Sequence, residues 1–253
     1  MSEPCITLEI DRDGVALLRM QDPAGKNAFG ESFVSELVAR LEALSDPAVK
    51  CCVVTGSDDV FSAGGDQEVL LDLAEGRRSP YDLTLTRTLL DVPVPTIAAM
   101  SGHAVGGGLV FGLCCDMVIL AKEKRYGCNF MDLGFTPGMG TTGLLQVACG
   151  EYLATEMMMS GRFVRGSELS GGVNAVLPGQ DVLPHALGIA RRIAEKPGFA
   201  LRLLKQTLVA PRRVAFERAR VSEALMHAVC FEKPETAQRI QGSYFPGMED
   251  RHE

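Results

Sequence analysis

The sequence predicts an α/β fold: a core in which strand and helix alternate, followed by a helical C-terminal region. Short apolar runs at Cys51–Thr55, Thr96–Met100 and Met117–Leu120 read as buried strands. The first two each lead into a glycine-bearing turn and then a stretch of helical spacing, the order expected of right-handed βαβ units. From Gly150 onward the pattern is helical. The division falls around Pro197–Gly198, giving a core of residues 1–195 and a C-terminal helical region of residues 196–253.

In chain order, Ile6–Ile10 and Val15–Met20 flank Asp11–Arg12–Asp13–Gly14, a hairpin signal with Asp and Gly in the turn. Phe33, Leu37, Leu41 and Leu44 recur at helical spacing. Phe61–Asp66 reads as a loop, Gln67–Glu75 as a helix broken at Gly76–Pro80, and Thr84–Leu90 as another. Glu151–Ser160, Val182–Glu195, Leu201–Ala210 and Val214–Phe231 read as separate helices. Met157–Met159 falls on one of these and reads as core or subunit packing.

Composition narrows the function classes. Apolar residues make up 46% and charged residues 23%, so a sizeable core is expected. A formal charge of −7 offers no electrostatic footprint for nucleic acid and no cationic face for an anionic membrane. The eight cysteines include adjacent pairs inside apolar runs, where Cys acts as a small hydrophobe, and no Cys-x-x-Cys occurs. Neither a disulfide framework nor a metal site is expected. The first residues lack a basic and an apolar leader segment, so no signal peptide and a reducing cytoplasm are expected. Residues 92–115 carry no Lys, Arg, Asp or Glu, yet Pro93, Pro95 and Gly106–Gly108 fit strand, turn and buried helix better than a membrane span.

Two glycine turns carry the chemistry. Around Gly64–Gly65–Asp66 and Gly106–Gly107–Gly108, backbone N–H groups can approach a ligand with no Cβ in the way, each at the start of a helix. If convergent, they form an oxyanion hole for a thioester carbonyl becoming an enolate. Either turn alone is better explained by tight turning and close packing.

Phe61–Ser62–Ala63–Gly64–Gly65–Asp66, Gly102–His103–Ala104–Val105–Gly106–Gly107–Gly108, Asp116, Gly134, Pro137–Gly138 and Gly140 together resemble the crotonase (enoyl-CoA hydratase/isomerase) superfamily. Gln21–Asp22 and Lys26–Asn27–Ala28 match it too, so the resemblance runs over essentially the whole chain. It implies a ββα spiral superhelix core, a helical C-terminal region for trimerisation and active-site cover, trimers or dimers of trimers, no cofactor, and an oxyanion hole at Gly65 and Gly107. Hydratases of the family carry glutamates where this chain has Val110 and Phe130. Neither residue moves a proton, so hydration is disfavoured.

Further strings (Met20–Asp22, Gly65–Glu68, Asn129–Met131, Gly134–Gly140, Leu208–Pro211) resemble the decarboxylating homologue of polyketide β-branching cassettes. That subgroup acts on 3-methylglutaconyl groups tethered to acyl carrier protein through phosphopantetheine, with CoA thioesters as an alternative form. The resemblance implies Ala63, Val110 and Phe130 in an apolar substrate site and His227 as proton donor or carboxylate binder. The subgroup's lysine is missing: its position falls near Ser79, and no lysine lies between Lys50 and Lys122. Arg78 and Tyr81 are the replacements favoured as carboxylate ligands, Arg77 being the other candidate; solvated loop arginines explain the same residues. His103 reads as structural. Arg212–Arg213, with Lys205, Arg218 and Arg220, reads as a solvated helix face, the weaker alternative being a contact for the phosphopantetheine phosphate or an acidic carrier domain.

The reading is a cofactor-independent lyase that decarboxylates a 3-methylglutaconyl-type thioester on an acyl carrier protein. Its rivals are a CoA-dependent isomerase or hydratase using Asp132, and a non-catalytic acyl-thioester or RNA-binding member of the fold.

Overall fold

The computed structural model describes residues 4–79 and 85–242. The chain opens with the expected hairpin, β1 (Ile6–Ile10) and β2 (Val15–Met20), in which Ile6 faces Met20 and Ile10 faces Ala16. Gly14 closes the turn at φ +87°, and the Asp11 carboxylate accepts from the N–H groups of Asp13 and Val15.

The spiral follows. β3 (Ala28–Phe29) leads to α1 (Glu31–Ala43). One turn comprises β4 (Cys51–Thr55), β5 (Val60–Ser62), β6 (Gly64–Gly65), α2 (Gln67–Ala74) and α3 (Leu85–Asp91). The next comprises β7 (Thr96–Met100), β8 (His103–Val105) and α4 (Gly107–Leu113). A third comprises β9 (Met117–Ala121), β10 (Arg125–Gly127), a tight helical turn at Met131–Leu133, α5 (Thr141–Cys149) and α6 (Glu151–Ser160). Then come β11 (Phe163–Arg165), β12 (Ala175–Leu177), α7 (Gly179–Ala194), α8 (Gly198–Phe231) and α9 (Pro234–Gly242).

Each turn places one strand in each of two sheets. The larger runs β1-β2-β4-β7-β9-β12 and is parallel except for the opening hairpin. The smaller runs β11-β10-β8-β5. Side chains of the larger sheet alternate between two cores. Cys51, Val53, Ile97 and Ala99 face Val182, Ala186, Ala190 and Ala194 of α7, while Cys52, Val54, Ala98 and Met100 face the main core. The small residues spaced four apart on α7 let that helix lie close to the sheet.

Several expectations are revised. β3, β5, β6, β8, β10, β11 and β12 span two or three residues each, too few for an alternating pattern to register in the sequence. The two helices expected at 201–210 and 214–231 are one, α8, running through Pro211. Proline there removes a backbone donor and strains the turn before it, but Val209 and Phe216 on either side are buried in the main core. Nor is Lys205 on a solvated face. It is buried and reaches the Asp116 carboxylate at 2.5 Å, while Arg212 donates to the Cys114 and Cys115 carbonyls and to Asp116. These groups place cations at the C-terminal end of α4, where the helix dipole favours them. Met157 is buried, Met158 half-buried and Met159 exposed.

Candidate active site

The two glycine turns converge. β6 pairs with β3, Ala28 opposite Gly64 and Phe29 opposite Gly65. Asn27 holds this corner from beneath: its side-chain amide donates to the Val60 and Phe61 carbonyls at 3.2 and 3.1 Å, and Ser62 Oγ donates to the Asn27 carbonyl at 2.7 Å. Gly64 sits at φ +84°, where a Cβ would lie 2.5 Å from the Val105 carbonyl and 3.1 Å from the Gly107 nitrogen. The sharp turn at Gly106, φ +52°, then starts α4 with Gly107. Gly65 and Gly107 thus meet at one cavity of about 280 Å³, with Gly107 at the positive end of α4.

Ala63, Gly65, Arg78, Gly107, Phe130 and His227 all line this cavity. Val110 is not among the lining residues: it lies one turn along α4 from Gly107, fully buried in the main core that also holds the lining residues Phe29 and Phe130. Tyr81 lies outside the described residues. Asp132 also misses the cavity. Its carboxylate packs beside Gly161, 2.6 Å from where a Cβ there would lie.

α8 brings His227 to the site. The imidazole is buried, and its Nε2 lies 2.7 Å from the Thr136 carbonyl, which only accepts, so Nε2 carries the proton. Phe135 and Phe231 meet the ring edge-on at 5.8 and 5.4 Å. Burial holds its pKa below the ordinary imidazole value despite the hydrogen bonds to Thr136 and Pro137. Gly138 allows the approach, since a Cβ there would lie 2.4 Å from the imidazole Cε1.

The cavity wall is otherwise apolar and aromatic, with Phe29, Phe130, Phe135 and Phe231 around it. Among the described residues that line it, Glu31 is the one carboxylate, and it is ion-paired to Arg78 at 2.5 Å. Arg78 Nε also reaches Asp72 at 3.3 Å. Arg77 binds Asp72 and Glu75 outside the cavity. His103 has a structural role, its Nδ1 accepting from the Arg125 N–H on β10 at 2.9 Å.

Sequence reasoning missed several residues of the site. Met139, at φ +62°, places its sulfur 2.5 Å from where a Gly107 Cβ would lie. Asn129 is buried beside Gly106, and Phe231 packs on His227. Glu223, buried one turn before His227, accepts from the N–H groups of Gly140 and Thr142 and from the Thr142 hydroxyl. The pairs Glu223–His227 and His227–Phe231 are each four apart on α8, a spacing that could have flagged the group as one helix face.

A family model described as enoyl-CoA hydratase/isomerase matches residues 11–244. The chain is 40% identical over 240 residues to the bacillaene synthase decarboxylase PksI of Bacillus subtilis (strain 168), covering 94% of this chain and 96% of that one. It is 33% identical over 217 residues to the 2,3-dehydroadipyl-CoA hydratase of Escherichia coli (strain K12), covering 83% and 84%. A solved structure from work on a dehydratase/decarboxylase enzyme couple involved in polyketide β-branching superposes with a TM-score of 0.91 at 39% identity, covering 96% of this chain and all of the other. The ECH2 decarboxylase domain of CurF from Lyngbya majuscula superposes with a TM-score of 0.87 at 36% identity, covering 94% and 98%. The fold, the convergent glycine turns and these likenesses agree: the chain belongs to the enoyl-CoA hydratase/isomerase, or crotonase, family.

Proposed function

We propose that this protein is a decarboxylase acting on a 3-methylglutaconyl-type thioester carried on the phosphopantetheine of an acyl carrier protein, in polyketide β-branch formation. One observation carries the reading. Two backbone N–H groups can meet a thioester oxygen in a cavity lined by Phe130, where the family's hydratases have one glutamate, and the fully buried Val110 stands at the position of the other. Such a site supports enolate formation without activating water. The likeness to PksI and to the CurF domain, both named as decarboxylases, supports it.

In the step proposed, the bond between the distal carboxylate and the acyl chain breaks and carbon dioxide leaves. Its electron pair moves through the enoyl group onto the thioester oxygen, held by the N–H groups of Gly65 and Gly107. One proton then returns to carbon, giving a 3-methylcrotonyl-type product. His227 handles the proton or the carboxylate; Arg78, with Tyr81, recognises the carboxylate; Ala63 and Phe130 bound the acyl chain. No cofactor is needed, because the substrate itself accepts the electrons.

The region 196–253 is proposed to cover the site through α8 and to assemble the protein as a homotrimer or dimer of trimers. Phe199, Leu203, Leu204 and Leu208 are exposed along the first half of α8, a stripe that subunit contact would bury. No helix among the described residues is long and apolar enough to cross a membrane, and we place the protein in the cytoplasm beside its carrier. The test is incubation with 3-methylglutaconyl carrier protein, reading carbon dioxide release and the mass of the carrier. An unchanged carrier, with crotonyl-CoA hydrated instead, would reverse the assignment.

A further inference from the structure

The Arg78 guanidinium stands between two unlike carboxylates. Its Nη2 meets Glu31 at 2.5 Å and its Nε meets Asp72 at 3.3 Å. The Glu31 side chain is 79% exposed, whereas that of Asp72 is 20% exposed and is also held by Arg77 Nε at 2.7 Å. Glu31 and Arg78 line both the acyl cavity and an adjoining cleft, whereas Asp72 lines the cleft and not the cavity. Asp72 therefore anchors the arginine from outside the cavity, and of the two carboxylates Glu31 is the one that meets it at the cavity.

We propose that Glu31 is a built-in competitor for the substrate's distal carboxylate, holding Arg78 at the cavity until an acyl group bearing its own carboxylate displaces it. This rests on the reading that Arg78 receives that carboxylate. The physics favours exchange. A solvent-exposed ion pair is weak because water screens it and its side chains lose freedom in forming it. Glu31 loses little by swinging into solvent, whereas a carboxylate on an acyl chain already bound in the apolar cavity needs a partner. An acyl chain without a carboxylate gains nothing from displacing Glu31 and leaves the pair intact. Glu31 and Arg78 together then select for carboxylated thioesters, and the two acidic neighbours of one guanidinium act in opposite directions.

The experiment uses glutaryl-pantetheine, which has the distal carboxylate but lacks the double bond that would take up electrons, and butyryl-pantetheine as the uncharged control. Binding of both is measured calorimetrically to the wild type, Glu31→Gln and Asp72→Asn, with folding checked by circular dichroism. Glu31→Gln should tighten glutaryl-pantetheine about two- to fivefold, the scale of an exposed ion pair, and leave butyryl-pantetheine unchanged. Asp72→Asn should weaken glutaryl-pantetheine by freeing the arginine. Unchanged or weaker glutaryl binding to Glu31→Gln, or equal tightening of both ligands, would overturn the proposal. Because neither ligand is turned over, a failed decarboxylation assay would sink the proposed reaction without touching this result.

Discussion

Glu223 and His227, one turn apart on α8, grip opposite ends of the same segment. His227 Nε2–H donates to the Thr136 carbonyl at 2.7 Å, and Glu223 accepts from the Gly140 and Thr142 N–H groups at 2.7 and 2.8 Å. The segment between them carries Met139, whose sulfur approaches Gly107. One face of one helix thus fixes both the imidazole and the wall opposite the oxyanion donors.

His227→Ala should slow decarboxylation about 10²- to 10⁴-fold, the range for losing a positioned proton-transfer group. Single-turnover carbon dioxide release checks it, and a loss under tenfold would remove His227 from the chemistry. His227→Gln keeps an N–H for Thr136 and separates structure from function. Because burial lowers the folded pKa below 6.5, the stability linked to this group is present above pH 6.5 and lost as pH falls through the folded value. Thermal melts should show the wild type losing ground to His227→Gln below pH 6.5, and parallel melts would contradict this.

Glu223 has the opposite sign. Burial raises its pKa above 4.5, only partly offset by the Thr142 and Gly140 donors. Its contribution is present below pH 4.5 and lost as pH rises through the folded pKa. The melting temperature of the wild type minus that of Glu223→Gln should fall as pH is raised through this window; a pH-independent difference would contradict it.

Gly107→Ala and Gly108→Ala should separate catalysis from folding. At Gly107 the new Cβ would clash with the flexible Met139 side chain, whose sulfur lies 2.5 Å away and which lines the acyl cavity, and would make an ordinary contact with Phe29 at 3.6 Å. The fold should survive while kcat/KM falls about 10²- to 10³-fold, the scale of one disturbed oxyanion donor. At Gly108 the Cβ would lie 2.4 Å from the Ser62 carbonyl, fixed backbone, so the melting temperature itself should drop. Equal effects on melting from both variants would contradict the distinction.

Asp116→Asn leaves the buried Lys205 ammonium without its 2.5 Å partner. Denaturant unfolding should show a loss of about 3–5 kcal/mol, as when one member of a buried pair is removed. A loss below about 1 kcal/mol would show that water reaches this pair, contrary to its burial.

The glycine turns, the hairpin and the long strands were legible because their signals are local. Gly14 shows the turn chemistry, and the continuous apolar run along residues 51–55 is long enough to show a buried strand. The short strands left no periodic trace, and Pro211 masked the continuity of α8 because tertiary packing overrode its local effect. His227 was found by resemblance, whereas Glu31 was not found: its partner Arg78 lies 47 positions away, and only the folded chain brings the two to one cavity.

Decarboxylation on the carrier is read by mass spectrometry of acyl carrier protein loaded with 3-methylglutaconate and incubated with this protein. The carrier-bound group should lose the mass of carbon dioxide, and His227→Ala should slow that loss greatly. An unchanged mass on the carrier-bound and the CoA-bound substrate alike would contradict it.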